Sequence, residues 1–206
     1  KYLPQEARET DDSYDVRLSR STVVPYLQRI EKMLSGMLVR KPVRLDDVSD
    51  LVREQLFDVD LEGNDLNVWL YQTARQAISF GHVGVLVDAP KEGDKTRPYW
   101  VTYTPKDILG WRSEIVDGSR QLTQLRLMEQ VVEPDGKYGD KIIKQIRVLE
   151  RGRYEIHRKD DKKNEYRLFD EGEMSLKDKI PFAVAYSNRV GYYESRSPLY
   201  DIAELN

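Results

Sequence analysis

His82 and His157 are the only imidazoles in a chain of 206 residues that contains no cysteine. Without thiols there is no disulfide, no cysteine-based zinc site and no thiol nucleophile. Neither histidine lies in an HExxH pattern or beside a pair of carboxylates. His82 reads as a structural residue at a strand entrance, and His157 as one in an alternating polar position. Gly81-His82-Val83-Gly84 carries two glycines but runs into a strand interior. A phosphate cradle needs the free N–H groups of a helix N-terminus. GxxxxGK[ST], GxGxxG and GxSxG patterns are absent. A Ser–His–Asp triad is a spatial arrangement, so the sequence leaves one open. Among the carboxylates, Asp46, Asp47, Asp50 and Glu54 are spaced as a cation site would be. They lack the glycine and alternating oxygen ligands of a calcium loop, and helix capping fits them better. Glu129 is the one nuclease-like feature, a strand carboxylate of the kind that holds a catalytic metal. It has no convincing lysine partner, and it reads as a solvent-facing strand residue.

The charge balance narrows the function classes further. Lys and Arg total 33, Asp and Glu 36, for a net charge of −3 and a pI near 5.6. That is no footprint for gripping nucleic acid by counterion release. Charged residues make up 33%, which implies a large exposed surface or charged subunit contacts. Thirteen Tyr, four Phe and three Trp, spread along the chain, argue for a packed core over disorder. The absence of cysteine suits a reducing compartment or an assembled particle. No apolar run approaches the ~20 residues of a membrane span, and no secretory signal is recognisable. The first residue is Lys1 and the last, Asn206, falls inside an expected helix, so the chain reads as a fragment.

The elements that position these residues fall into two groups. A polar arm over 1–12 precedes a helix capped by Asp11, Asp12 and Ser13 and carrying Tyr14, Val16 and Leu18. Pro25 starts a second helix with Tyr26, Leu27, Ile30, Met33, Leu34, Met37 and Leu38 as its apolar stripe. Lys41-Pro42 ends it, and Met33 and Met37 are expected in the core. Asp46 to Asp50 caps a short helix with Leu51, Val52 and Leu56. Asn64-Asp65 caps the clearest helix, Leu66 to Phe80, with Leu66, Leu70, Ala74, Ala77 and Ile78 on one face. Gly81 stops it in a left-handed conformation, and the apolar run to Pro90 is a buried strand. After the polar loop 91–98 come a strand from Tyr99 to Tyr103 and a helical turn from Pro105 to Leu109. Strands follow around Trp111–Val116, Leu122–Val131, Ile143–Leu149 and Tyr154–Ile156, joined by Asp117-Gly118 and Pro134-Asp135-Gly136 in meander spacing. Residues 158–165 read as a solvated charged turn. A buried strand over Ile180–Tyr186 and a final helix opened by Ser197-Pro198 complete the pattern. The expected class is α+β: a helical N-terminal part packed on a mostly antiparallel sheet, one region over 1–206, with a weak sub-boundary near 91–98.

Several stretches carry a resemblance when read in order. They are Tyr2-Leu3-Pro4 before the Tyr14–Arg20 helix, Gly36-Met37 leading to Arg40-Lys41-Pro42, and Asp60 to Gly63 before the long helix. Then come Gly81 through Gly84, Asp88 and Pro90, followed by Arg97-Pro98-Tyr99-Trp100 and Ile108-Leu109-Gly110-Trp111-Arg112. Arg147-Val148-Leu149, Ile180-Pro181-Phe182 and Pro198 to Asn206 close the series. Their order and spacing, over nearly the whole chain, resemble a portal-like phage family once described only as a domain of unknown function. The Ile-Pro-Phe strand and the closing helix are similar to the wider family of tailed-phage portal proteins. Gly110 stands where that pattern has a polar residue, often Asn.

The resemblance implies a wing-like fold and structural roles for Pro42, Gly81, Gly84, Asp88, Pro90, Pro98, Trp111, Pro181 and Asn206. It implies no catalytic residue, metal or cofactor. It implies a homo-oligomeric ring of about twelve copies at one capsid vertex, with heterologous contacts that must close. The partners are the major capsid protein, the large terminase subunit and a head–tail adaptor. Double-stranded DNA passes through the channel, mostly along residues outside this chain, and no membrane is involved. The location is the virion, after assembly in the host cytoplasm. Two other classes stay open: a metal-dependent phage nuclease with dispersed carboxylates, and a head–tail adaptor or minor capsid protein.

Overall fold

The computed structural model describes residues 3–21, 25–89, 97–160 and 164–204. Helix α1 spans Asp11–Arg20. Its cap is Thr10, in extended conformation, whose hydroxyl accepts from the Ser13 N–H at 3.3 Å. Asp11, Asp12 and Ser13, expected as caps, form the first turn instead, where the two carboxylates face the positive end of the helix dipole. The arm is tied down by the Tyr14 hydroxyl, which donates to the Leu3 carbonyl at 2.8 Å, and by Arg17 against Glu9.

Helix α2 covers Tyr26–Leu38 after Pro25. Its core placement does not hold. Met33 is 57% and Met37 66% exposed, and Ser35 is the one fully buried residue of the helix. Periodicity identifies an apolar face but not what covers it. Here only the opposite face is covered, against helix α4 (Leu66–Phe80), with an Arg75–Glu31 ion pair at 2.9 Å between the two.

Helix α3 is Asp50–Gln55, capped by Ser49. The Asp65 carboxylate accepts from the N–H groups of Asn67 and Val68 at 2.8 and 2.9 Å and starts α4. The buried row of α4 is Trp69, Thr73, Ala77 and Ile78. It shares Ala77 and Ile78 with the expected face, whose Leu66 and Leu70 pack half-buried against the second core, and it widens to Trp69 and Thr73 because α2 and the sheet cover the helix from two sides. Gly81 ends α4 at φ 92°, with its N–H on the Ala77 carbonyl. A positive φ of this kind favours glycine.

Strand β1 (His82–Asp88) is the centre of a three-stranded antiparallel sheet, with β2 (Tyr99–Tyr103) on one side and β8 (Phe182–Tyr186) on the other. The strands flanking 91–98 therefore pair with each other. A five-stranded meander holds β3 (Ile108–Val116), β4 (Ser119–Asp135), β5 (Gly139–Glu150), β6 (Arg153–Asp160) and β7 (Glu165–Glu173) in sequence order. The turn near Pro105 is shorter than expected: the Asp107 N–H bonds the Thr104 carbonyl, and Ile108 is already strand. The charged run 158–165 is partly strand too, since β6 extends to Asp160. Strand β7 has no counterpart in the sequence reading. It is an edge strand with mostly exposed side chains, so no apolar alternation marks it. A small hairpin of β9 (Arg189–Gly191) and β10 (Glu194–Ser195) precedes α5 (Tyr200–Glu204).

The main core joins the two larger sheets through Leu86, Tyr103, Ile108, Leu125, Leu127 and Leu149. Leu125 and Leu127 are fully buried, each a contribution of about 1.5–3 kcal/mol. A second, smaller core of Leu56, Val59 and Trp69 fixes the helical part, with Trp69 edge-on to Trp100 at 4.8 Å. The chain is α+β with antiparallel sheets.

Candidate functional site

The largest concentration of buried charge sits where β1, β2, β4 and β5 meet. On β5 the side chains of Gln145, Arg147 and Leu149 share the inward face by strand alternation. Arg147 reaches Asp88 at 2.6 Å through Nη1. Its Nε lies 2.9 Å from a Glu129 oxygen, an ion pair whose N–H is not aligned as a hydrogen bond. The Tyr103 hydroxyl donates to Glu129 Oε1 at 2.6 Å, and Gln145 Nε2 donates to Glu129 Oε2 at 2.7 Å. The Tyr99 hydroxyl donates to Asp88 at 3.3 Å.

Burial opposes the charge on Arg147, but Glu129 and Asp88 outweigh it and hold the guanidinium above its ordinary pKa. Burial raises the Tyr103 phenol, and the Glu129 charge adds to the shift, so Tyr103 stays a donor. Glu129 is only 12% exposed at its side chain, which corrects its reading as a solvent-facing carboxylate. Both of its oxygens are already engaged. Tyr103 engages one of them and Gln145 the other.

A cleft of about 580 Å³ opens beside this network, between α4 and the strands. Thr73 and Gln76 line one wall; Tyr99, Tyr103, Glu129 and Arg147 line the other. Thr73 Oγ1 and Gln76 Oε1 have no hydrogen-bond partner among the described residues. No three His, Asp or Glu side chains converge as a metal site among the described residues. Asp46, Asp47, Asp50 and Glu54 stay on the surface around α3, where Ser49 does the capping.

His82 has a partner that the sequence did not indicate. Its Nδ1 lies 2.6 Å from Ser195 Oγ, and its ring is 5.8 Å from that of Tyr186. Burial lowers the imidazole pKa. A serine beside a histidine is the start of a nucleophilic pair, yet no carboxylate hydrogen-bonds the ring among the described residues. The hydroxyl also lies directly beneath Gly81, where an added Cβ would come within 2.4 Å. The contact ties the β9–β10 hairpin to β1. His157 sits near the surface, its Nε2 3.0 Å from Glu155.

The residues singled out from sequence mostly gather around β1. Gly81 packs under Ser195 and Arg196, and Gly84 lies so close to the Phe182 ring that a Cβ would fall 2.1 Å from Cζ. Asp88 anchors Arg147. The Pro181 carbonyl accepts from the Val87 N–H at 2.9 Å, continuing the β1–β8 pairing. Trp111 stacks on Tyr193 at 5.6 Å. Pro42 and Pro98 are exposed and stand apart, while Pro90 and Asn206 lie outside the described residues.

Sequence reasoning missed Arg147, Tyr103 and Gln145 as a unit. The available signal was a charged residue at an inward position of an alternating strand, facing a carboxylate on the neighbouring one. No protein-family model and no curated protein matches the chain.

Proposed function

We propose that this chain is the wing portion of a tailed-phage portal subunit, a structural protein and no enzyme. In this reading it takes its place in a ring of about twelve copies at one capsid vertex. The major capsid protein surrounds the ring, the large terminase subunit docks during packaging, and a head–tail adaptor follows. The channel-lining contacts to DNA are made outside these residues, in keeping with the net charge of −3. Assembly takes place in the host cytoplasm and the product resides in the virion.

The observation that carries the reading is the use to which the family-like residues are put. Gly81, Gly84, Asp88 and Pro181 lock β1 to its neighbours, Trp111 stacks β3 on Tyr193, and none of them presents a free reactive group to the cleft. A scaffold needs such joints, whereas a nuclease needs converging carboxylates with open coordination positions. Glu129, the one nuclease-like residue, is bound by Arg147, Tyr103 and Gln145.

The test is negative-stain imaging of the complete gene product. Rings of about a dozen subunits around a central hole are expected. A uniform monomer that cleaves DNA on addition of Mg²⁺ or Mn²⁺ would overturn the reading in favour of the nuclease. A uniform small oligomer of a short gene product would favour the adaptor.

A further inference from the structure

The exposed apolar surface of the helical part includes two stretches of opposite net charge. On α2, Tyr26, Met33 and Met37 form one stripe, from 56% to 66% exposed, on the side opposite buried Ser35. Its rim is basic: Arg29, Lys32, Arg40 and Lys41 are all exposed. The carboxylate of this helix, Glu31, is spent on Arg75 and does not offset them. Around α3 the pattern inverts. Leu51 is 70% and Phe57 71% exposed, and of the exposed charges in the same stretch Asp46, Asp47, Asp50 and Glu54 outnumber Arg44 and Arg53. Isolated exposed apolar side chains need no explanation, but clusters of this kind mark contact surfaces.

Gly36 supplies a second, independent sign. It lies within α2, on the exposed side near Lys32 and Met33, and a Cβ there would meet nothing within 4 Å. A glycine inside a helix is less stable there than alanine, because its backbone loses more freedom on folding. Nothing among the described residues requires one at this position. A backbone approaching closely from outside would.

We propose that the α2 face receives the α3 segment of a second copy of this chain, methionine stripe against Leu51 and Phe57, with the basic rim of α2 on the acidic excess around α3. The two patches differ, so the contact is heterologous and propagates from copy to copy in a head-to-tail series. Methionine suits the α2 side, since its flexible thioether fits an irregular partner surface. The choice of a second copy as occupant rests on the ring reading and on the charge complementarity. The contact itself can be tested separately.

Sedimentation analysis of the chain at rising concentration is expected to show assembly beyond a dimer. Met33→Glu/Met37→Glu and Leu51→Lys/Phe57→Lys should each hold the chain as a folded monomer, with unchanged circular dichroism because all four sites are exposed. Mixing the two variants in equal amounts should give a dimer and nothing larger, since one good face of each kind remains. Gly36→Ala should raise the melting temperature while lowering the association constant at least tenfold. A wild-type chain that stays monomeric, a closed wild-type dimer, or a Gly36→Ala variant that associates normally would overturn the proposal. Rings of the complete gene product that ignore all these variants would overturn this contact and leave the ring reading standing. Open chains held by this contact would uphold it and sink the ring reading.

Discussion

Arg147→Met replaces the buried cation with an apolar side chain and leaves Glu129 and Asp88 facing each other without a counter-charge. The three side chains are 19%, 12% and 20% exposed, so water screens them only in part. Breaking a buried pair by removing one member typically costs about 3–5 kcal/mol, because the surviving charge stays buried. Tyr103, Gln145 and Tyr99 still donate to the stranded carboxylates, which places the expected loss near the lower end, about 3 kcal/mol. At roughly 2–4 °C per kcal/mol for a chain of this size, the melting temperature should fall by about 6–12 °C. Urea unfolding at pH 7 measures the same loss directly. Adding Glu129→Gln to the variant removes one stranded charge and should restore part of the stability. A variant within about 0.5 kcal/mol of the wild type at pH 7 would refute the argument that this network holds the two sheets together.

Gly84→Ala places a methyl group 2.1 Å from Phe182 Cζ and should cost about 1–3 kcal/mol by overpacking; Phe182→Leu in the same chain should recover part of it in a thermal melt. Gly81→Val meets both a φ of 92° and the Ser195 hydroxyl at 2.4 Å, so a loss of at least about 1 kcal/mol is expected, and an unchanged melt would contradict the helix stop. Burial of His82 depresses its pKa below the unfolded value near 6.5. The unfolded chain therefore binds the extra proton, and stability should decline as pH falls through that value; His82→Gln should flatten this part of the pH–stability curve. Asp65→Ala removes the cap of α4 and should cost about 1 kcal/mol by urea titration.

Much of the fold was legible where the cause is local. Asp65 and Gly81 bracket α4 because a side-chain acceptor starts a helix and a positive φ ends it. Asp117 and Gly118 turn β3 into β4 with φ of 50° and 75°, as that pair of residues indicates. The illegible parts depend on what lies across space. Met33 and Met37 have the spacing of a core face, yet the described residues leave both more than half exposed. Strand β7 pairs through its backbone with β6 and needs no apolar signature. Arg147 and Glu129 are far apart in sequence and meet only because β4 and β5 pair in one register, which sets Leu127 opposite Arg147 and Glu129 opposite Gln145. The Ser195–His82 contact spans 113 residues and had no motif to announce it.

The central claim is that this chain builds a closed ring and performs no chemistry. Light scattering of the complete gene product, coupled to size exclusion, tests it most directly. The account predicts a single species with the mass of about twelve subunits, and no loss of added duplex DNA when Mg²⁺ is present. A single monomeric species that degrades the DNA would contradict it.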